Sequence, residues 1–302
     1  MSLPGPASPS PLICAAGDLV DDIVVHVHGT PVRDADVPAT VTRHRGGSAA
    51  NTAAVVARLG GRARFVGQVG HEPAGALLVD DLTTLGVECA VRQAGVTGTV
   101  VVVVEPDGSR TMFSDRRAAG GDAPIDERVV DDVDVLHVPY FGLAGSAEGA
   151  PFPRLVARAG EAGVVLSFDP SSVALCGPAF LHLVRETRPG VVLCNEAEAA
   201  ALGVDGEGLP GARLVVVKQG PAPALLRGEV TAEVPVPGRP VVVDTTGAGD
   251  AFAGGFLLAL ARGEGAVAAA HAGHTAAARV IAGPGADARC DPGPGDAAGA
   301  RP

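Results

Sequence analysis

From about residue 130 onward, the apolar runs VDVLHV, GVVLSFD, VVLCN and RLVVVK alternate with Ala- and Leu-rich stretches of helical length. Such alternation is the signature of parallel strands joined by crossover helices, and runs that are apolar at every position mark strands buried on both faces. The pattern predicts an α/β fold: a three-layer sandwich with a mostly parallel central sheet. Two stretches break it. Residues 23 to 28 (IVVHVH) with 40 to 44 (TVTRH), and residues 98 to 104 (GTVVVVV) with 110 to 115 (RTMFSD), are strand-like without intervening helices. Between the last two, Glu105-Pro-Asp-Gly-Ser109 supplies the turn of a hairpin. A small antiparallel sheet made from these two distant pieces is expected to project from the core as a lid. The predicted organisation is therefore a core from 11–22, 46–97 and 116–290, and a lid from 23–45 and 98–115. Flexible tails are expected at 1–10 and 291–302, where Pro, Gly and Ala leave little to bury.

Composition narrows the classes. Of 302 residues, 47% are hydrophobic and 19% charged, which excludes a disordered chain, and no apolar run approaches the ~18 to 20 residues of a membrane span. The net charge of −11 offers no basic patch to a nucleic acid, so neither nucleic acid nor membrane is an expected partner. Five widely spaced cysteines without a C-x-x-C pair suggest neither a disulfide framework nor a thiolate zinc site, and a reducing, cytoplasmic setting fits them.

Two glycine-rich segments carry candidate chemistry. The first is Asp244-Thr-Thr-Gly247-Ala248-Gly249-Asp250-Ala-Phe, followed by AGGFLLALA, a helix apolar on every side and hence buried. Backbone N–H groups at such a helix start attract an anion, and Asp250 in the first turn would stand beside it. One reading is a capped buried helix. The other is an anion hole at Gly247, Ala248 and Gly249 that holds a transferring phosphoryl group while Asp250 accepts a hydroxyl proton. The second segment, Gly46-Gly47-Ser48-Ala-Ala-Asn51-Thr-Ala, opens a helix that stops at Gly60-Gly61. There Asn51 offers a donor and an acceptor to a polyol, or is a surface residue behind a Ser48 N-cap.

Together, in this order and separation, the two segments resemble the paired signatures of the ribokinase-like carbohydrate kinases, the PfkB family. The likeness runs over about residues 12 to 288, including Phe65-Val-Gly-Gln-Val-Gly70, Asn195-Glu-Ala-Glu198 and Gly285-Ala286. It implies ATP-dependent phosphorylation of a hydroxyl on a small sugar or sugar-like substrate, with Mg²⁺. Asp22, Gly46, Gly47 and Asn51 would bind the substrate, although Asp18 and Asp21 make Asp22 a choice of register. Arg116 or Arg117 would be a further contact. Asn195 and Glu198 match an N-x-x-E motif that organises Mg²⁺ through water, and Lys218-Gln-Gly220 matches a nucleotide-binding loop. His274 falls where members place a residue beside adenine, or is an ordinary helix histidine. Asp244, with carbonyls near 281 to 287, occupies the place of a K⁺ ligand in members that use this ion. Ser48 stands where ribokinases proper carry Lys, so the sugar is not specified, and a nucleoside kinase or a non-catalytic sugar-binding protein are the alternatives. Five successive valines, 100 to 104, make both lid faces apolar, which points to a homodimer joined through the lid.

Overall fold

The computed structural model describes residues 10–116, 124–144, 146, 150–238 and 241–283. The expected tails and Arg117 lie outside these, apart from Ser10.

The chain opens with β1 (Leu12–Ala16), β2 (Val20–Val27) and β3 (Ala39–Gly46), then α1 (Ser48–Arg58), β4 (Arg62–Val69), α2 (Pro73–Thr84) and β5 (Glu88–Gln93). The second hairpin is β6 (Gly98–Val104) and β7 (Arg110–Asp115). Thereafter strands and helices alternate: β8 (Val135–Pro139), α3 (Pro151–Glu161), β9 (Val165–Asp169), α4 (Pro178–Thr187), β10 (Val191–Asn195), α5 (Glu196–Leu202) and β11 (Leu214–Lys218). The chain closes with β12 (Ala224–Gly228), β13 (Ala232–Val234), α6 (Ala248–Ala261) and α7 (Ala266–Ile281).

Nine strands form one sheet in the order β13-β12-β11-β10-β9-β8-β1-β4-β5, parallel from β11 to β5 with antiparallel β12 and β13 at one edge. Successive side chains of a strand point to opposite faces. Accordingly Ile13 and Ala15 of β1 join one core with α1, α2, α6 and α7, and Leu12, Cys14 and Ala16 join the other with α3, α4 and α5. The predicted three layers follow from this. Helix α6, apolar all round, is buried from Ala251 to Ala261, as its composition requires.

The lid is a four-stranded sheet in the order β3-β2-β6-β7. Each hairpin is antiparallel as expected, and the two meet through parallel pairing of β2 with β6. The turn holds as predicted, with the Gly108 N–H donating to the Glu105 carbonyl at 2.9 Å. The lid strands begin earlier than the sequence suggests: β2 starts at Val20, so Asp21 and Asp22 belong to the lid. The five valines divide by alternation, Val100 and Val102 buried on the inner side and Val101 and Val103 half-buried on the outer. Glu72, the N-cap residue of α2, accepts the Thr97 N–H at 2.6 Å and ties that helix to the root of β6.

Sheet order reverses at β1, whose neighbours are β4 and β8, and the crevice beyond the carboxyl ends of the strands at such a point is where open α/β sheets bind ligands. The lid springs from the same end of β1 and overhangs that crevice.

Candidate active site

Beneath the lid lies a cavity of about 370 Å³, lined by Val20, Asp22, Val24, Val100, Val102 and Met112 from the lid and by Ser48, Asn51, Thr246, Gly247 and Asp250 from the core. Alternation along β2 settles the register. Asp22, Val24 and His26 share the cavity face, whereas Asp21 pairs with exposed Arg43 at 3.3 Å and Asp18 is buried against Arg116. Arg116 also lines the cavity, lies 4.2 Å over the Phe141 ring and donates to Ser114 Oγ at 2.9 Å.

Gly46 and Gly47 act by what they lack. A Cβ at Gly46 would overlap the Asp22 carboxylate, and one at Gly47 would overlap the Asp18 carbonyl. Gly47, at φ 103°, is also the N-cap residue of α1, so Ser48 is the first helical residue rather than the cap. The Gly47→Ala variant is expected to lose about 2 to 4 kcal/mol from backbone strain plus overlap. A melting temperature lower by roughly 4 to 8 °C in thermal unfolding would register it.

Asn51 is buried rather than superficial. Its Nδ2 donates to Asp250 Oδ2 at 2.9 Å, and its Oδ1 accepts from Arg45 Nη1 at 2.8 Å. The buried Arg45 in turn donates through Nε to Asp81 Oδ2 at 2.7 Å. Asn51 therefore braces Asp250 as well as facing the cavity. Burial pushes the Asp250 carboxyl up to about 6, reinforced by the nearby Asp169 charge and opposed by hydrogen bonds from Asn51 and Ser48 and by the Lys218 charge. A carboxylate poised near neutrality in a cavity suits a general base.

At the start of α6, Gly247 is the N-cap residue with φ 76°, a left-handed turn that glycine adopts without strain. The first N–H groups of a helix have no intrahelical acceptor. The Ala248 N–H is drawn to the Thr245 carbonyl at 3.2 Å, so of the three expected anion-hole amides those of Gly247 and Gly249 are the better placed to serve an anion. A Cβ on Gly249 would stand 3.3 Å from Lys218 Nζ, which puts an ammonium group behind this turn.

Parallel strand ends deliver the next group of charges. Asp169, Asn195 and Lys218 close β9, β10 and β11, with Asn195 and Lys218 in register. Lys218 Nζ donates to Asp169 Oδ2 at 2.7 Å; burial alone would lower the lysine pKa, but the charge and hydrogen bond of Asp169 raise it instead. Asn195 and Glu198 form a reciprocal capping box, with bonds of 2.9 Å in both directions. Burial and the Asp169 charge hold the Glu198 carboxyl above the usual carboxylate range. A divalent cation would relieve that crowding. The oxygen donors of Asn195 and Glu198 suit Mg²⁺ held through waters and phosphate oxygens, and among the described residues no three His, Cys, Asp or Glu side chains form a metal cage.

Gly220 lies at the exposed turn after β11. His274 does not join the cavity. Its Nε2 donates to the Val234 carbonyl at 3.0 Å, its ring meets Phe252 edge-on, and burial lowers its pKa. Asp244 does lie at the cavity mouth, but Arg110 and Thr246 both donate to its Oδ1. Of the expected carbonyl ligands, that of Ile281 accepts the Val243 N–H at 2.8 Å, and residues 284 to 287 lie outside the described residues. The residues present thus do not fit K⁺ at this oxygen.

Sequence reasoning missed Arg45, Asp81, Asp169 and Arg110. Asp169 had a signal, as the polar residue closing the apolar run GVVLSFD; the others act across the fold and carry no local mark.

Over residues 10–292 the chain matches the pfkB family carbohydrate kinase. It belongs to that family. The kinase is 33% identical over 259 residues to the ATP-dependent ribose-1-phosphate kinase of Halopiger xanaduensis, covering 81% of this chain and 83% of that one. It is 30% identical to the fructokinase of Vibrio alginolyticus, over 72% and 76% of the two chains. Among solved structures it is similar to the ribokinase of Thermotoga maritima, with a TM-score of 0.75, 26% identity and coverage of 91% and 94%. The adenosine kinase of Sinorhizobium meliloti, with a TM-score of 0.79, 23% identity and coverage of 92% and 96%, shares the fold. The family implies ATP as phosphoryl donor and, as a rule, Mg²⁺. No helix among the described residues is long and apolar enough to cross a membrane.

Proposed function

We propose that the kinase transfers the terminal phosphoryl group of ATP to a hydroxyl of a small sugar or sugar phosphate bound beneath the lid. The observation that supports this most is the joint arrival of Asp22, Asn51, Asp250 and the Gly247 turn in one cavity. Asp22 and the remaining N–H of Asn51 orient the sugar hydroxyls, and Arg116 closes one wall. Asp250 accepts the proton of the attacking hydroxyl. Positive charge is what the reaction needs on its other side, because phosphoryl transfer depends on positioning and electrostatic stabilisation more than on covalent help. The Gly247 and Gly249 amides and Lys218 supply it. Asn195, Glu198 and Gly220 lie on the nucleotide side, with Mg²⁺ neutralising the phosphates when bound.

The inner lid wall of Val24, Val100, Val102 and Met112 would also suit the flat face of a base, and this favours a nucleoside as the second reading. Adding D-fructose, D-ribose, ribose 1-phosphate or adenosine to enzyme with MgATP and measuring ADP release decides between them. One of the first three should stimulate release well above the rate without acceptor. Stimulation by adenosine alone would favour the nucleoside, and ligand binding without ADP release would leave only a binding protein.

The reading includes a homodimer through the outer lid face, where Val41 and Phe113 stand about 60% exposed. A dimer mass is expected by light scattering at micromolar concentration; a monomer mass would contradict it. Free thiols at Cys14, Cys89, Cys176 and Cys194 accord with a cytoplasmic enzyme.

A further inference from the structure

Arg110 opens β7 beside the hairpin turn, yet its guanidinium lands on the loop that leads to Asp250. Nη2 donates to Asp244 Oδ1 at 2.9 Å, and Nη1 donates to Thr246 Oγ1 at 2.9 Å. The same Asp244 oxygen accepts the Thr246 N–H at 2.8 Å and the Thr246 hydroxyl at 2.7 Å. Thr246 is followed directly by Gly247, where the chain turns into α6. The cluster therefore ties the far end of the lid to the residue that sets the anion-hole turn, and all three side chains line the cavity.

We propose that Arg110 is a positioning residue that holds the anion-hole turn in its working shape from the lid, in the place where a monovalent cation would otherwise supply positive charge. This rests on the kinase reading of the Asp250 site. Two facts favour the guanidinium over an ion. Asp244 Oδ1 already accepts three donors, and a planar fork can bridge a carboxylate and a hydroxyl together in a way a spherical ion cannot direct. The pair is partly exposed, at 33% for Arg110 and 24% for Asp244, so its direct contribution to stability is small. Its effect lies in geometry. An open lid releases Thr246 and loosens the turn, and a closed lid assembles it, so a bound nucleotide meets a complete anion hole only when water is shut out.

The test compares the full-length wild type with Arg110→Gln, Arg110→Lys, Asp244→Asn and the double variant Arg110→Gln/Asp244→Asn. Hydrogen–deuterium exchange is followed in peptides covering residues 98–115 and 241–252. Arg110→Gln should speed exchange in both by about 5-fold or more, Asp244→Asn should do the same, and the double variant should add nothing. Arg110→Lys keeps the charge but not the fork that reaches both Asp244 and Thr246, and should recover only part of the protection. With whichever acceptor supports ADP release, kcat of Arg110→Gln should fall by about 10- to 100-fold with both KM values little changed. Wild-type turnover should be the same in K⁺ as in tetramethylammonium. Loosening confined to the lid peptide, additive losses in the double variant, or a wild type that requires K⁺ would overturn the proposal. Exchange reads the loop without turnover, so absence of kinase activity with every acceptor would count against the functional reading and leave this coupling measurable.

Discussion

Replacing Asp250 by Asn should lower kcat by about 10² to 10⁴ while acceptor and ATP affinities stay within a few fold. Asparagine keeps the size of the side chain and an oxygen that can accept from Asn51 Nδ2, so a purely structural Asp250, in the first turn of α6 after the Gly247 N-cap, would tolerate the change. A base would not, because the amide cannot take the hydroxyl proton. Stability gives an independent check with a definite sign. The folded-state pKa of Asp250 is raised to about 6, so the fold carries a desolvated charge above that pH and is relieved of it as pH falls toward the unfolded value of 3.8. Asp250→Asn removes the charge outright, and its melting temperature at pH 7.5 should equal or exceed that of the wild type. A variant with more than roughly a tenth of wild-type kcat, with chemistry rate-limiting, would remove Asp250 from the role of base.

Lys218→Met should have the second largest effect. The lysine is bonded to Asp169 at 2.7 Å in a mostly buried pair and stands behind the Gly249 turn. Removing it takes positive charge from the phosphoryl path, and kcat should fall about 10²- to 10³-fold. The loss also strands the Asp169 carboxylate, which should cost about 2 to 3 kcal/mol of stability. Of the two charges that bear on Asp250 only one is lost: Lys218 no longer lowers its pKa, while Asp169 continues to raise it. The acid limb of the rate profile should therefore move to higher pH. Adding Asp169→Asn should bring the limb back without restoring the rate. A Lys218→Met enzyme with near wild-type turnover would show that the ammonium group is no more than a partner of Asp169.

What was legible in the sequence was local. The layers followed from apolar runs separated by helical stretches, and the two glycine-rich segments announced themselves because a turn, a helix start and a carboxylate fall within a few residues. What was not legible joins distant pieces. Arg45 looks like any charged residue at a strand end until the fold brings Asp81 to its Nε and Asn51 to its Nη1. Arg110 reads as a hairpin residue until the lid closes over Asp244. The choice among Asp18, Asp21 and Asp22 depends on where a strand begins, and a start at Val20 rather than Ile23 places Asp22, with Val24 and His26, on the cavity face. His274 shows how packing adds what position along the chain does not: it is seated against Phe252 and bonded to the Val234 carbonyl.

The most direct test of Asp250 as a desolvated base is the dependence of kcat/KM on pH, from about pH 5 to about pH 8.5, with the acceptor that supports ADP release. The wild type should lose activity on the acid side with unit slope and a midpoint near 6, the value to which burial raises this carboxyl. A profile flat down to pH 5, or an acid limb that persists unchanged in the residual activity of Asp250→Asn, would contradict it.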